Sequence, residues 1–209
     1  MAPQFPTLTG KFVRLEPLEL HHAEALAAAS AVDPSLYQWS IVPQGKDAVE
    51  NYIKAASQGR DAGTGVPLVT VRIADGAVIG STRFWYFERW AWPQGHERHG
   101  RVEPDACEIG YTWLTKSAIR TAANTEAKLL MLQHAFENWQ VLRICLHTDA
   151  RNLASRAAIE RIGATLEGVL RAHRMGSDFT ARTSYRYSIV AEEWPEVKQK
   201  LAERLYASA

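Results

Sequence analysis

Cysteine is scarce in this sequence, which has only Cys107 and Cys145 among its 209 residues. Each of the two falls in a predicted strand, and two residues cannot form the dense set of disulfides that stabilises small secreted domains. A disulfide framework is therefore not expected. The cysteine content instead favours the reducing cytoplasm as the location of the protein.

A strong net charge and a long apolar run are also missing. Lys and Arg number 24 and Asp and Glu number 23, so the formal net charge is +1. This balance gives no indication of nucleic acid or an acidic membrane surface as a partner. No apolar run approaches the roughly 20 residues that a membrane-spanning helix needs. The amino-terminal MAPQFPTLTG also lacks the basic start and apolar run of a secretory signal peptide. We expect neither a nucleic acid nor a membrane partner.

The composition that remains is that of an ordinary globular protein, with 46% hydrophobic and 22% charged residues. The length favours a single domain over residues 1–209. Alternating and helical patterns predict the order β-α-α-β-β-β-α-β-α-β-β, a mixed α+β protein. Residues 88–106 are polar and broken by Pro and Gly, which predicts a long inserted loop. Residues 192–206 predict a C-terminal helix with Pro195 in its first turn.

Residues 108–163 carry the main functional signal. The pattern predicts a strand over 108–114 and a long helix that begins at Asn124, its N-cap, and ends near Trp139. The loop 117–124 lies between them. Because the N–H groups at a helix N-terminus can bind a phosphate, this loop is a candidate phosphate site.

A second strand and helix follow within the same stretch. Residues 143–147 alternate apolar and polar side chains, as in a strand. Asn152 is predicted to cap a short helix that ends at Gly163.

Several segments together resemble one known family. They are LTGKFVRL at 8–15, EIGYTWL at 108–114, NTEAKLL at 124–130 and TDARNLASRAAIERIGA at 148–164. Each is weak alone, but as a set they resemble the GNAT superfamily of acyl-CoA-dependent N-acyltransferases. More narrowly, the chain is similar to the branch that includes the Rim-type ribosomal-protein N-terminal acetyltransferases. The resemblance covers nearly the whole chain.

The resemblance implies a fold and an activity. The fold would be a twisted, mostly antiparallel sheet of about seven strands, flanked by helices and splayed between the fourth and fifth strands. The activity would be N-acetyl transfer with acetyl-CoA as co-substrate and no metal. The acceptor would be a primary amine that attacks the thioester directly: a protein N-terminus, an amino acid or a small molecule.

Two residues are candidates for the chemistry. Glu108 is the candidate general base, acting through water, because the attacking amine must lose a proton. Its alternative is a strand-end carboxylate paired with Arg83 or Arg143. Ser155 is the candidate for assisting the leaving thiolate, and its alternative is a capping residue of the short helix.

The remaining site residues follow from the family's way of binding acyl-CoA, along the exposed strand edge, in the phosphate loop and at the start of the short helix. The expected cofactor-binding residues are Trp113, Leu114, Thr115, Ile119, Arg120, Thr121, Ala122, Ala123, Asn124, Asn152 and Ser155. The expected acceptor-binding residues are Trp39, Arg83, Tyr86 and Tyr111, of which Tyr111 fits a pocket wall better than an acid.

The phosphate loop departs from the family's pattern. Alignment through Asn124 puts Ala122 where the central glycine usually stands, and Arg120 at a second position that is often glycine. In one interpretation the loop still binds the cofactor and Arg120 adds a charged contact to a phosphate. In the other the cofactor site is weakened, and the fold binds another ligand or partner, or uses a different acyl-CoA or reaction.

The inserted segment 88–106 has two open interpretations. Trp90 and Trp92 could form a lid over the acceptor, or a contact between subunits of a homodimer. We expect this segment to shape the acceptor site. His96 and His99 have no second ligand pair at a recognisable spacing, so a solvated loop is expected rather than a metal site.

Overall fold

A computed structural model describes residues 5–206 of the chain. Its strands are β1 (Leu8–Thr9), β2 (Val13–Pro17), β3 (Gly65–Arg72), β4 (Val78–Glu88), β5 (Ala106–Leu114), β6 (Arg143–Asp149), β7 (Thr165–Met175) and β8 (Ala181–Val190). Its α-helices are α1 (Ala23–Ala31), α2 (Lys46–Asp61), α3 (Ala123–Gln133), α4 (Leu153–Arg161) and α5 (Trp194–Tyr206).

The strands form one open, eight-stranded sheet in the order β1-β2-β3-β4-β5-β6-β8-β7. Neighbouring strands are antiparallel except for β5 and β6, which run parallel. The predicted α+β class is confirmed. The count differs from the expected seven because β1 has only two residues, paired with Leu15 and Arg14, too few to give a periodic signal.

The sheet splays between β5 and β6. These are the fourth and fifth strands that the resemblance implied, because the two-residue β1 shifts the numbering by one. Only three residues of each strand pair, Ala106 to Glu108 against Arg143 to Cys145. Opposite Thr82, β5 carries an extra residue, and Tyr111 at this bulge has φ 52°. A bulge bends its strand. From residue 109 to 114, β5 therefore faces β6 without pairing to it.

Helices cover the two faces of the sheet in separate groups. On one face, α1 and α2 pack Leu26, Val49 and Ile53 against β3 and Trp113. On the other, α3 and α5 cover the larger core. The apolar stripe predicted for the long helix is buried as expected, at Leu129, Leu132, Phe136 and Trp139.

The start and end of the long helix differ from the prediction. Asn124 is not its N-cap, because the helix already begins at Ala123. The N-cap is Ala122, which has no side-chain cap, and one residue before it the Thr121 hydroxyl accepts the Ala123 N–H at 3.2 Å. At the other end α3 stops at Gln133, and a π-helical turn spans His134–Asn138. The predicted C-terminal helix is confirmed, with Pro195 in the first turn of α5.

Candidate active site

A cavity of about 970 Å³ occupies the gap between the diverging strands β5 and β6. Its walls come from β5, the segment that leads into α3, the end of β6, the start of α4 and the β7–β8 hairpin. The connection between α1 and α2 closes another side. Segments that are far apart in sequence therefore meet around one space.

The predicted phosphate loop lines this cavity directly. Its first residues belong to a short 3-10 turn, Lys116–Ala118, and the Thr121 hydroxyl donates to the Ala118 carbonyl at 2.7 Å. This bond and the one from the Ala123 N–H to the Thr121 hydroxyl fix the chain just before α3. Of the expected cofactor-binding residues, Trp113, Leu114, Ile119, Arg120, Thr121, Ala122, Asn124, Asn152 and Ser155 line the cavity. Thr115 and Ala123 are buried and do not line it.

The two unusual loop residues differ in backbone conformation. Ala122 has φ −65° and ψ −18°, which any residue adopts without strain. Arg120 has φ 62°, in the left-handed region that favours glycine. The strain therefore falls on Arg120, whose exposed side chain lines the cavity.

The start of α4 is built as predicted. The Asn152 side-chain oxygen accepts the Ser155 N–H at 3.0 Å, so Asn152 is the N-cap. Both residues line the cavity. The cap fixes the first turn of α4, which positions the Ser155 hydroxyl on the cavity wall.

Glu108 lies in the cavity wall with only 4% of its surface exposed. Arg174 of β7 donates to both carboxylate oxygens, at 3.0 and 3.4 Å. The Nδ1 atom of His147 lies 2.9 Å from Oε2 without meeting hydrogen-bond geometry. The expected alternative, pairing with Arg83 or Arg143, named the wrong partners: Arg143 pairs with Glu167, and Arg83 forms no ion pair within residues 5–206.

The charge state of Glu108 follows from these contacts. Burial raises the pKa of its carboxyl, but the contacts with His147 and Arg174 outweigh burial and hold the pKa below its usual value. Glu108 is therefore a carboxylate at neutral pH. Both nitrogens of His147 are buried and lack a well-formed hydrogen bond in the described chain.

Sequence reasoning missed His147 and Arg174 as members of the site. Both are strand residues, and no local pattern distinguishes them from other polar strand positions. His147 lies two residues beyond Cys145, which pairs with Glu108 between β5 and β6, and Arg174 comes from β7, which β8 separates from β6 in the strand order. Knowledge of that strand order would have found them.

Lys128 of α3 is a further missed residue of the cavity wall, with 5% of its surface exposed. Its Nζ donates to the hydroxyls of Thr112 at 2.7 Å and Thr82 at 3.1 Å. No carboxylate lies within ion-pair distance among the described residues. Burial lowers the pKa of Lys128 to about 7, so that the amine is neutral in a large fraction of molecules at neutral pH.

The buried amine predicts a pH-dependent stability. In the unfolded chain lysine titrates near 10.5, so between about pH 7 and pH 10.5 the unfolded state binds more protons than the folded state. The free energy of unfolding should therefore rise with pH in this window, by up to roughly 1.4 kcal/mol per pH unit from this residue. In Lys128→Met the rise should be smaller and the melting temperature at pH 7 higher. Urea unfolding at pH 7, 8 and 9 measures the pH slope, and a thermal melt at pH 7 measures the second effect. Equal pH slopes in the two proteins would contradict the assignment.

The expected acceptor-binding residues divide between two cavities. Trp39 and Tyr111 line the large one, and Trp39 stacks under the Arg151 guanidinium at 4.2 Å. Arg83 and Tyr86 line a second cavity of about 440 Å³ between α2 and the ends of β3 and β4. Trp85 lines both.

The predicted inserted loop is present between the end of β4 at Glu88 and the start of β5 at Ala106. It packs next to the end of the long helix, where Arg101 donates to the Trp139 carbonyl and Arg98 to that of Gln140. The backbone N–H of Trp90 and the indole N–H of Trp92 both donate to the Asp105 carboxylate. Glu88, the first residue of the segment, lines the smaller cavity, and none of residues 89–105 lines either one. Trp90 and Trp92 therefore lie outside both cavity walls, and a role of the segment at the acceptor site stays a prediction.

The histidines of this loop pack against Trp92. The His96 ring stacks on it at 4.3 Å, and the Nδ1 atom of His99 lies 2.7 Å from its carbonyl oxygen. Between residues 5 and 206, no group of three or more His, Cys, Asp or Glu side chains could hold a metal ion. Over the same residues, no helix is both long and apolar enough to cross a bilayer.

Comparison with known proteins agrees with this geometry. A family model for an acetyltransferase (GNAT) domain matches residues 13–165. A protein from T. thermophilus, whose crystal structure is described as that of a candidate acetyltransferase, is 32% identical. The alignment covers 97% of this chain and 99% of that one, with a TM-score of 0.77. No curated protein matches the sequence significantly.

Other solved structures share the fold. A GCN5-related N-acetyltransferase from Brucella melitensis superposes with a TM-score of 0.83 at 25% identity, over 100% of this chain and 89% of that one. RimJ of Mycobacterium smegmatis, solved in complex with CoA-disulfide, superposes with a TM-score of 0.78 at 21% identity, over 98% and 97% of the two chains.

Proposed function

This chain belongs to the GNAT family of N-acetyltransferases, and we propose that it moves an acetyl group from acetyl-CoA to a primary amine. The observation that carries the proposal is the cavity between β5 and β6. It joins an unpaired strand edge, a helix N-terminus and a buried carboxylate in one space.

The cavity suits the parts of acetyl-CoA. The edge of β5 from residue 110 to 114 can hydrogen-bond the amides of the pantetheine arm as an added strand would. The pyrophosphate would lie at the loop 119–122 and the start of α3, where the helix dipole favours a negative group. A CoA compound in the M. smegmatis RimJ structure supports this proposal.

Three side chains have proposed roles in the transfer. Glu108 receives the proton of the attacking amine, through a water molecule or through His147, whose Nδ1 lies 2.9 Å away. Ser155 donates a hydrogen bond to the departing thiolate of CoA. The amine nitrogen forms the new C–N bond to the acetyl carbon, the C–S bond breaks, and CoA departs as a thiolate that then takes up a proton from water.

Cofactor binding gives the direct test. Acetyl-CoA and CoA should raise the melting temperature, because a ligand that binds only the native state stabilises it by roughly 2.7 kcal/mol at a hundred times its Kd. Thiol release in the presence of amines then measures transfer. If millimolar acetyl-CoA leaves the melting temperature unchanged, the proposal is wrong and the fold binds another ligand.

Variants of the loop separate its two interpretations. Arg120→Gly removes both a strained conformation and a charge, so the free protein should be stabilised by about 1 kcal/mol while acetyl-CoA binds several-fold more weakly. Ala122→Gly is the matched control and should bind no tighter, because Ala122 already has an unstrained φ of −65°. Unchanged affinity in Arg120→Gly would show that the arginine does not contact a phosphate.

The cellular location and the oligomeric state of the protein are proposed from fewer observations. Cys107 and Cys145 are free and buried, which supports a reducing compartment such as the cytoplasm. A homodimer stays a prediction, and size-exclusion chromatography with light scattering measures it.

A further inference from the structure

Five side chains form one continuous stack on the face of the sheet covered by α2. The Arg174 guanidinium lies 4.4 Å from the Trp85 ring, and Trp85 meets Tyr111 edge-on at 4.9 Å. Arg83 then lies 4.0 Å from the Tyr111 ring and 4.8 Å from the ring of Tyr52 in α2. Cations and aromatic rings thus follow one another from Glu108 towards α2.

The two arginines of this stack differ in one respect. Arg174 is paired with Glu108 at 3.0 Å. Arg83 forms neither an ion pair nor a hydrogen bond with any residue between 5 and 206, and its Nε atom is buried without a partner. Arginine is permanently charged, and a buried donor without a partner is costly. An anionic ligand would supply this half-buried cation with a charged partner.

The two tyrosines prepare Arg83 for such a ligand. Its guanidinium lies against both rings, which limits its rotation. A planar guanidinium of fixed orientation matches a carboxylate with two parallel hydrogen bonds. Because its side chain is already ordered, less conformational entropy is lost on binding.

Space for a ligand lies beside Arg83. The smaller cavity, about 440 Å³, has Arg83 in its wall together with Ala55, Ala56 and Gly59 of α2. Trp85 separates this cavity from the large one and lines both. A molecule that places an amine beside Glu108 could therefore extend past Trp85 and Tyr111 to Arg83.

We infer that the acceptor amine carries a carboxylate at some distance from its reacting nitrogen, and that Arg83 binds this carboxylate. The inference rests on the proposed acetyl transfer and names the substrate class of the same site. An acidic side chain close to a peptide N-terminus and the carboxylate of an amino acid share this chemistry. Arg174 and Arg83 are separated by the rings of Trp85 and Tyr111. This separation favours the longer, peptide-like acceptor.

Matched probes test the inference by thiol release. One arm uses tetrapeptide amides that differ only in Glu or Gln at the second, third or fourth position. The other arm compares amino acids with their carboxamides. The wild-type protein should prefer the Glu peptide of at least one pair by about tenfold or more in kcat/KM, as expected for a charge-assisted pair. The preference should appear mainly in KM.

Variants show whether Arg83 causes the preference. Arg83→Gln should abolish the preference, so that the ratio of kcat/KM for the Glu peptide to that for its Gln partner falls to about one. Arg171→Gln removes one exposed charge from β7 and is the control for net charge. The melting temperature of each variant shows whether the fold is kept.

The outcomes are separable from those of the proposed function. Equal rates with Glu and Gln peptides, or a preference that persists in Arg83→Gln, would overturn the inference and leave acetyl transfer standing. A preference only among amino acids would support the carboxylate and reject the peptide. If acetyl-CoA binds but no carboxylate-bearing amine reacts, the inference is wrong. If acetyl-CoA does not bind, the proposed function itself fails.

Discussion

Replacing Glu108 by Gln is expected to lower kcat by about a hundredfold to ten-thousandfold, the usual contribution of a positioned proton acceptor. The substitution keeps the shape of the side chain and an oxygen that can accept from Arg174. It removes the negative charge that receives the proton or orients His147. Acetyl-CoA should bind as in the wild-type protein, because Glu108 lies at the amine end of the proposed site. Steady-state kinetics and a thermal shift with acetyl-CoA measure the two effects separately.

Two further variants decide how Glu108 acts. His147→Gln should lower kcat to a similar extent if the proton passes through His147, and only slightly if it passes through water. Arg174→Gln is the structural control, because it removes the ion pair at 3.0 Å without removing the carboxylate. If Glu108→Gln lowers cofactor affinity as much as turnover, Glu108 has a structural role rather than a role in proton transfer.

Replacing Glu126 by Ala should cause the largest loss of stability among the substitutions considered. Glu126 is fully buried in the first turn of α3 and accepts the N–H groups of Lys11, Phe12 and Val13 at 2.6 to 2.8 Å. The Tyr206 hydroxyl donates to the same carboxylate at 2.8 Å. Removal would leave three backbone donors without a partner, at a cost of about 3–5 kcal/mol.

Thermal unfolding measures this loss. A protein of this size should melt roughly 10 °C lower after a change of that magnitude. Tyr206→Phe removes only one of the four bonds and should cost about 1 kcal/mol. It is therefore the matched control. A Glu126→Ala protein that melts within about 2 °C of the wild type would show that water replaces the carboxylate at those N–H groups.

Glu126 also explains a feature of the amino-terminal segment. A Cβ atom added to Gly10 would lie 2.4 Å from the Glu126 carboxyl carbon. Only glycine lets the chain approach the carboxylate this closely. The LTGKFVRL and NTEAKLL segments therefore contact each other in space, and that contact positions the N-terminus of α3 beside the cavity.

Local patterns predicted most elements and the capping of α4. The Asn152 cap, the buried stripe of the long helix and the first-turn proline of α5 depend on side chains a few residues apart. The Asn124 cap was wrong because α3 already begins at Ala123, so Asn124 lies inside its first turn. The packing of the inserted loop beside the end of the long helix was not predictable, because a polar composition carries no information about which element a loop contacts.

The sequence by itself determined the order of the elements, the family and the residues of the phosphate loop, because these depend on periodicity and on contiguous motifs. Only the tertiary structure decided the partners of Glu108, the burial of Lys128 and the stack that holds Arg83. Each of these depends on strand order and on the bulge at Tyr111, which bring together residues from separate segments of the chain. The strain at Arg120 was likewise decided by the fold, because a backbone angle is set by where the loop must enter α3.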